Sequence, residues 1–162
     1  MKNDRFLLAI LLGIGLLSIV AVIRVLTYAP PAMTYGEEST PEGVVHNYLV
    51  AIYRGDYERA YSYLADKEKK PSLETFRRAF VLGLINPKEA MAQVGKVTPI
   101  NDKEARVEIN ILYSGADPFS SGYSNLQYAL LVRQGEAWKI QSMPYPFWDS
   151  SWYEIVPPPP TD

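Results

Sequence analysis

The stretch RVEINILY, residues 106–113, decides the fold of this chain. Apolar side chains alternate in it with polar or charged ones, and the apolar positions are Val107, Ile109, Ile111 and Tyr113. Because successive side chains of a β-strand point to opposite faces, this period of two residues is typical of a strand with one buried face. The rest of the chain therefore has to supply a sheet and a layer that covers its apolar face.

The segments on both sides of this strand continue the sheet. Residues 94–100 predict a strand at an edge or an end, because Pro99 cannot donate a ladder hydrogen bond. Residues 126–132 predict a long strand after a loop at 114–122, and the inward side chains expected there are Leu126, Tyr128, Leu130 and Val132. Gln134-Gly135 then turns the chain into a last strand, with Trp138 and Ile140 inward. Turns this short favour antiparallel pairing.

The residues before the sheet have the period of helices. Thr40 is a typical N-cap and Gly55 a typical end, so residues 41–54 predict the first helix. Asp56 and Ser72 are N-cap candidates for two shorter helices that follow. Helices that precede an antiparallel sheet indicate an α+β domain, in which about three helices pack on one face of a curved antiparallel sheet.

The N-terminal part predicts a single transmembrane helix. Residues 6–23, FLLAILLGIGLLSIVAVI, are uncharged. At about 1.5 Å of rise per residue they form roughly 27 Å of helix, close to a hydrocarbon core of ~30 Å. We therefore expect a membrane anchor at residues 1–28, in contact with the lipid bilayer from Phe6 to Ile23. A linker at 29–39 follows, since Pro30, Pro31 and Gly36 interrupt any apolar period.

Basic residues around this run predict its orientation. Lys2 and Arg5 precede it and only Arg24 follows, which favours an N-terminus in the cytoplasm and an extracytoplasmic domain on a single-pass protein of the cell membrane. A cleaved secretory signal is the alternative, with a small-residue site near Ala29. The run is longer than the ~7–15 residues usual for a signal, and two prolines follow the site, so we prefer the anchor.

Composition excludes several classes of function. Lys2, Arg5, Arg24 and Asp4 lie in the predicted anchor, so the remainder carries 13 basic and 17 acidic residues, a net charge of −4. A domain without a basic stripe is not expected to bind nucleic acid. The chain has no cysteine and one histidine, which excludes disulfides, thiol chemistry and histidine- or cysteine-rich metal sites. We expect no cofactor and no metal.

A family resemblance rests on TPEGVVHNYLVAIYRGDYERAYSYL, residues 40–64, and on GEAWKI, residues 135–140. Together with the strands between them, these segments resemble the nuclear-transport-factor-2-like superfamily, including its membrane-attached bacterial members of undefined role. The likeness covers residues 40–143, although the first strand of the family is hard to place after residue 64. The resemblance implies a cone of sheet and helices whose cavity binds ligands or performs catalysis in some relatives, and serves binding or dimerisation in others.

Few residues are candidates for chemistry. The inward strand positions are not ionisable near neutral pH, so we expect no catalytic residue and no enzyme. His46 lies about 120° from the centre of the first helix's apolar face, where an exposed, neutral role is expected rather than a cavity ligand. Four tyrosines are the weak candidates for a ligand pocket, with core filling as the alternative: Tyr48, Tyr61, Tyr113 and Tyr128.

Residues 144–162 form an aromatic and proline-rich tail, and Pro157 to Pro160 predict an extended end. Its candidates for partner binding are Phe147, Trp148, Trp152 and Tyr153. Their alternative role is to cover an open edge or end of the sheet. The preferred hypothesis is a non-catalytic, membrane-anchored binding or accessory and assembly protein, with a membrane-protein partner or a homo-oligomer. The alternatives are a small-ligand binder or enzyme that uses the cone, and a domain shed after signal cleavage.

Overall fold

The computed structural model describes residues 3–27, 33–113 and 122–153. The predictions for residues 28–32 of the linker, for the loop at 114–121 and for the prolines at 157–160 lie outside the described residues. The chain divides between Met33 and Thr34 into two compact units.

The first unit contains one helix, α1, Asn3–Thr27. Its described leucine, isoleucine and valine side chains are exposed, from Ile10 at 45% to Leu17 at 71%. Ser18 lies within it and donates a hydrogen bond from its hydroxyl to the carbonyl oxygen of Ile14, 2.9 Å away. This local bond satisfies, within the helix, the only side-chain hydroxyl of the apolar run at residues 6–23.

The transmembrane prediction for residues 6–23 is corrected by the structure. Counted over the described residues, no helix combines the length and the apolar character that a membrane crossing requires. On this finding the predicted single-pass transmembrane anchor and the predicted cell-membrane location are wrong.

The second unit begins with three helices that have the predicted caps. They are α2, Pro41–Arg54, α3, Tyr57–Ser62, and α4, Leu73–Val81, followed by a 3-10 turn at Pro87–Glu89. The side chains of Thr40, Asp56 and Ser72 each accept a hydrogen bond from the backbone N–H three residues ahead. Gly55 ends α2 with φ of 72°, a left-handed conformation in which a side chain would be strained.

A four-stranded antiparallel sheet follows in the order β1-β2-β3-β4. Its strands are β1, Ala90–Asn101, β2, Glu104–Tyr113, β3, Tyr123–Gln134, and β4, Ala137–Ser142. Pro99 lies in β1, an edge strand, as predicted. The α+β class and the antiparallel sheet are therefore confirmed, without the predicted transmembrane helix.

The helices cover the inner face of the sheet. The five apolar residues predicted for the inward face of α2 are all buried: Val44, Val45, Tyr48, Leu49 and Ile52. Inward side chains of the strands complete the core: Val107, Ile109, Ile111, Ala129, Leu131 and Ile140. The helix-packed face of β2 is thus the one that the apolar alternation predicts.

The described part of the C-terminal tail returns into this core. Phe147, Trp148 and Trp152 are 0%, 5% and 7% exposed. The Trp152 ring lies 5.0 Å from the Phe76 ring of α4, and the Phe147 ring lies 5.7 Å from that of Tyr53 in α2. These contacts bury the tail aromatics against α2 and α4, rather than at the open edge or end of the sheet that was their alternative role.

A segment before α2 is held against that helix. The Asn47 side chain, fully buried, accepts from the Gly36 N–H at 2.7 Å and donates to the Gly36 carbonyl at 3.0 Å. The side-chain amide of Asn47 thus bonds both the N–H and the carbonyl group of one residue, as the backbone of a paired β-strand does. Residues 34–39, part of the predicted linker, therefore belong to the second unit.

Replacing Phe147 by alanine tests how much the tail contributes. We expect Phe147→Ala to lower the free energy of unfolding by about 3–5 kcal/mol, the usual cost of truncating a buried phenylalanine. Leu84→Ala is the matched control, since Leu84 is 69% exposed and such changes cost about 0.5 kcal/mol or less. Urea denaturation measures both. A cost below about 1 kcal/mol for Phe147→Ala would show that the tail is not part of the core.

Candidate functional site

The interior of the second unit is filled by its own side chains. Tyr48 is fully buried, and its hydroxyl donates to the carbonyl oxygen of Phe147 at 2.7 Å. Burial raises the pKa of Tyr48 well above its usual range, so this phenol stays neutral. A ligand inside the cone would have to displace the rings of Phe147 and Trp152 or break this hydrogen bond. The interior therefore serves stability in the described conformation.

The four tyrosines proposed as pocket candidates lie in separate places. Tyr48 is in the core, whereas the Tyr61 hydroxyl donates to the carbonyl oxygen of Pro71 at 2.8 Å. Tyr113 stacks on Tyr123 with ring centroids 4.7 Å apart. Tyr128 is 43% exposed on the face of the sheet turned away from the helices. The structure does not bring these four hydroxyl groups together around one ligand.

The aromatic residues proposed for partner binding are engaged within the domain. Trp148 contacts Trp152 edge to face, with centroids 4.9 Å apart, and stacks on Tyr153 at 5.9 Å. The Tyr153 hydroxyl donates to the carbonyl oxygen of Ala65, and burial raises its pKa. With Phe147 fully buried, a partner would reach these rings only after the tail leaves its packed position.

His46 has a local partner. It is exposed, and its Nε2 lies 2.9 Å from the carbonyl oxygen of Thr34, to which the Nε2–H tautomer donates. This bond attaches the segment before α2 next to the Asn47 pair. Among the described residues, no group of three or more His, Asp or Glu side chains is arranged to hold a metal ion.

An open cleft of about 400 Å³ lies between the α2–α3 corner and the end of α4. Tyr53 and Tyr57 line it, but both are used within the protein. The Tyr53 hydroxyl donates to the Ala90 carbonyl and accepts from the Ala92 N–H at the edge of β1, and burial raises its pKa to about 12. The Tyr57 ring stacks on Phe80. The Tyr53 hydroxyl is therefore not free to orient a ligand in this cleft, and the contact with Phe80 fixes the ring of Tyr57.

The outer face of the sheet, the face turned away from the helices, presents a different surface. On β3 the exposed apolar residues are Leu126, Tyr128 and Leu130, at 53%, 43% and 37%. Ala129 and Leu131, between and beyond them, are 0% and 1% exposed. The prediction that Leu126, Tyr128, Leu130 and Val132 face inward is therefore wrong by one residue.

The pairing of β3 with β2 explains this difference. Val107 is fully buried and pairs with Ala129, so Ala129 shares its inward face. Glu108 pairs with Tyr128, and Arg106 with Leu130, which places all four on the outer face. β3 has apolar residues at both odd and even positions, so its own sequence does not show which face is buried. β2 has charged residues on one face only, and pairing β3 with β2 would have identified the outer face.

The outer face of the sheet also carries charged side chains. Arg106 is exposed, and its guanidinium lies over the Tyr128 ring, 4.7 Å from the centroid. Glu108 is half-buried two residues further along β2. Among the described residues, neither side chain has an oppositely charged partner within 4.0 Å. The outer face therefore combines an apolar row on β3 with one positive charge, Arg106, and two negative charges, Glu104 and Glu108, on β2.

A second polar cluster lies at the α2–α3 corner and is structural in character. Glu38 accepts hydrogen bonds from the Tyr63 hydroxyl at 2.7 Å and from the Arg59 guanidinium at 3.1 Å. The Arg59 guanidinium also lies 3.4 Å from the centre of the Tyr35 ring. These contacts attach the segment before α2 to α3. The hydrogen bond from Tyr63, supported by Arg59, lowers the pKa of Glu38 below its ordinary value.

The pH dependence of stability tests this cluster. A carboxyl group with a lowered pKa stabilises the folded state above its ordinary pKa of 4.5, and this contribution is lost as the pH falls through the folded value. We therefore expect Glu38→Gln to be less stable than the wild type at neutral pH, with the difference shrinking as the pH falls toward about 3. Tyr63→Phe removes the main donor and is expected to reduce the same difference. Urea midpoints measured across this range would contradict the assignment if wild type and Glu38→Gln changed in parallel.

Comparisons with known proteins give only distant neighbours. No family model matches the chain, and no curated protein matches it. Solved structures similar to it include a SEC-C motif-containing protein from Rhodopseudomonas palustris, with 12% identity and a TM-score of 0.46 over 64% of this chain and 77% of that one. They also include an NTF-2-like protein of unknown function from Shewanella oneidensis MR-1, with 10% identity and a TM-score of 0.43 over 60% and 88%.

A third similar structure is an uncharacterised cystatin-fold protein from Novosphingobium aromaticivorans, with 10% identity and a TM-score of 0.41 over 65% of this chain and 97% of that one. The neighbours thus include an NTF-2-like protein, the type that the sequence resembles, and a cystatin-fold protein. At this identity and these TM-scores they carry no argument about what this chain binds or does.

Proposed function

We propose that this protein is a non-catalytic binding or assembly protein, and that its contact surface is the outer face of the sheet. One observation carries the proposal: Leu126, Tyr128 and Leu130 form an exposed apolar row on one strand. Residues two apart on a strand lie about 7 Å from one another, so the three side chains form a continuous stripe. Contiguous apolar surface of this kind marks interaction sites on folded proteins.

The composition of the face supports the same function. Interfaces between proteins combine an apolar centre with aromatic and arginine side chains, and a polar rim surrounds them. Tyr128 and Arg106 lie beside each other at the middle of the outer face. Glu104 and Asn110, which flank Arg106 and Glu108 on the same face of β2, provide polar groups toward the two ends of the face. An aromatic ring next to a guanidinium is a common centre of binding energy.

The alternative function, a ligand site inside the domain, has less support. Its volume is occupied by the tail aromatics, and the Tyr48 hydroxyl is satisfied by Phe147. Binding there would require loss of that buried hydrogen bond and exposure of aromatic surface, which opposes ligand entry. The outer face requires no rearrangement before it meets a partner.

Cysteine labelling tests whether the outer face is covered in the cell. The chain contains no cysteine, so Leu126→Cys introduces a unique thiol on the face, and Leu84→Cys introduces one at a position 69% exposed outside the sheet. We expect the thiol at 126 to react with N-ethylmaleimide at least about tenfold more slowly in intact source cells than in dilute purified protein. The thiol at 84 should react at similar rates in both. Equal rates for position 126 in cells and in dilute solution would contradict the proposed function.

A further inference from the structure

A cleft of about 360 Å³ opens between the segment before α2 and the turn that joins β3 to β4. One wall contains Glu38, the start of α2 and the end of α3, and the other wall contains Trp138 and Lys139 of β4. Its volume is at the lower end of the ~300–1,000 Å³ range of small-molecule sites. The cleft is open to solvent, so a ligand would enter it without displacing the aromatic rings of the tail.

Lys139 brings a positive charge to this cleft. Its Nζ donates to the carbonyl oxygen of Ser62 at 2.7 Å, which uses one of the three N–H groups of the ammonium. Among the described residues, no carboxylate lies within 4.0 Å of this Nζ. The neighbouring cation, Lys70, is by contrast paired with Asp66 at 3.9 Å. The ammonium of Lys139 therefore keeps donors for a negatively charged group of a ligand.

Glu38 brings a negative charge to the same cleft. Its Oε1 accepts the hydrogen bonds from Tyr63 and Arg59, whereas its Oε2 has no hydrogen-bond partner among the described residues. The bond from Tyr63 lowers the pKa of Glu38, and the charge of Lys139 lowers it further. The carboxylate and the Lys139 ammonium are thus close, but no ion pair within 4.0 Å joins them. A gap between two opposite charges suits a ligand that carries both.

The other long polar side chains at the cleft are already paired. Glu136 lines it as a third charged residue, but it forms an ion pair with Arg133 at 3.2 Å and its side chain is 99% exposed. Gln134 accepts from the Asp66 N–H at 2.8 Å and donates to the Asp66 carbonyl at 2.9 Å. Glu38 and Lys139 are therefore the charged groups that remain for a ligand.

Trp138 supplies an aromatic surface beside these charges. It precedes Lys139 in β4 and shares the inward face of the sheet with Ile140, which is fully buried. Trp138 itself is half-buried and lines the cleft, so part of its side chain faces solvent there. An indole ring offers a large, rigid apolar surface, and aromatic groups pack well against it. The cleft thus combines a positive group, a negative group and an aromatic surface.

We propose that this cleft binds a free α-amino acid with an aromatic or large apolar side chain. The carboxylate of the ligand meets the Lys139 ammonium, its ammonium meets Oε2 of Glu38, and its side chain packs on Trp138. Charge-assisted hydrogen bonds at both ends fix its orientation. An inorganic anion would place like charge beside Glu38, and a simple cation would do so beside Lys139, so neither matches the site. The inference is independent of the proposed function, because the cleft contains no residue of the apolar row on β3.

Three related ligands test the site on the wild-type chain. They are L-phenylalanine, phenethylamine, which lacks the carboxylate, and 3-phenylpropionate, which lacks the ammonium. The full chain is labelled with ¹⁵N and kept in mild detergent, since α1 exposes apolar side chains, and NMR follows the indole N–H signals of its three tryptophans. We expect L-phenylalanine to bind with a Kd of about 0.1–1 mM and each analogue at least about fivefold more weakly.

The tryptophan signals locate the ligand. Trp148 and Trp152 are 5% and 7% exposed in the core, so L-phenylalanine should shift the third signal. That signal should be missing from the spectrum of Trp138→Phe, which assigns it. The two core signals also report whether each variant is folded.

Removing one charge at a time separates the two polar contacts. Lys139→Met should abolish the preference for L-phenylalanine over phenethylamine, because the ligand carboxylate loses its partner. Glu38→Gln should abolish the preference over 3-phenylpropionate, because the ligand ammonium loses its partner. Lys96→Met is the matched control, since Lys96 is exposed on β1, at the opposite edge of the sheet from β4. It should keep both preferences.

Four results would overturn the proposal. They are an unshifted Trp138 signal up to about 10 mM L-phenylalanine, analogues that bind as tightly as the amino acid, preferences that survive in folded Lys139→Met and Glu38→Gln, and an equal shift by glucose, which would assign the cleft to a neutral ligand. The first two are measured on the wild-type chain, so they decide the matter even if a variant fails to fold. None of the four bears on the outer face, which the thiol at position 126 tests separately.

Discussion

The fold of the second unit depends on the return of its C-terminal tail into the core. A buried hydroxyl on α2, Tyr48, meets the backbone carbonyl of Phe147, and both groups are removed from water. Either group without the other would be an unsatisfied buried polar atom, at a cost of about 1–3 kcal/mol. The hydrogen bond therefore fixes where the tail enters, and the rings of Phe147 and Trp152 then fill the space between the helices and the sheet.

This closure determines where the protein can meet other molecules. Neutral phenols and apolar side chains occupy the interior, and burial keeps the pKa of Tyr48 and of Tyr53 above the usual range. The edge of β1 is partly occupied as well, because the Tyr53 hydroxyl satisfies the Ala90 carbonyl and the Ala92 N–H. The outer face of the sheet combines exposed apolar surface with charges that have no partner of opposite sign nearby in the described chain. For this reason we propose the outside of the sheet as the contact surface.

Local sequence rules predicted much of this unit. The caps at Thr40, Asp56 and Ser72 depend on one side chain and a nearby backbone N–H, so a short window of sequence contains the whole interaction. The inward face of β2 was predictable for a similar reason, since Arg106 and Glu108 identify the side exposed to water.

Other features depend on contacts that no local window contains. β3 has apolar residues at both odd and even positions, and its pairing with β2 decides that Ala129 rather than Tyr128 faces the core. The tail binds a helix 99 residues away in sequence. The apolar run near the N-terminus predicted a membrane crossing from composition and length, and the described residues contain no helix that satisfies both requirements.

Hydrogen exchange of the tail tests the central claim most directly. If the tail closes the core, the backbone N–H groups of Phe147 and Trp152, which donate to Pro144 and Asp149, should exchange on the same timescale as those of β2. Mass spectrometry of a peptide that covers residues 144–153, compared with one from 104–113, measures this. Exchange of the tail peptide at the rate of an unstructured chain, while the β2 peptide remains protected, would contradict the account.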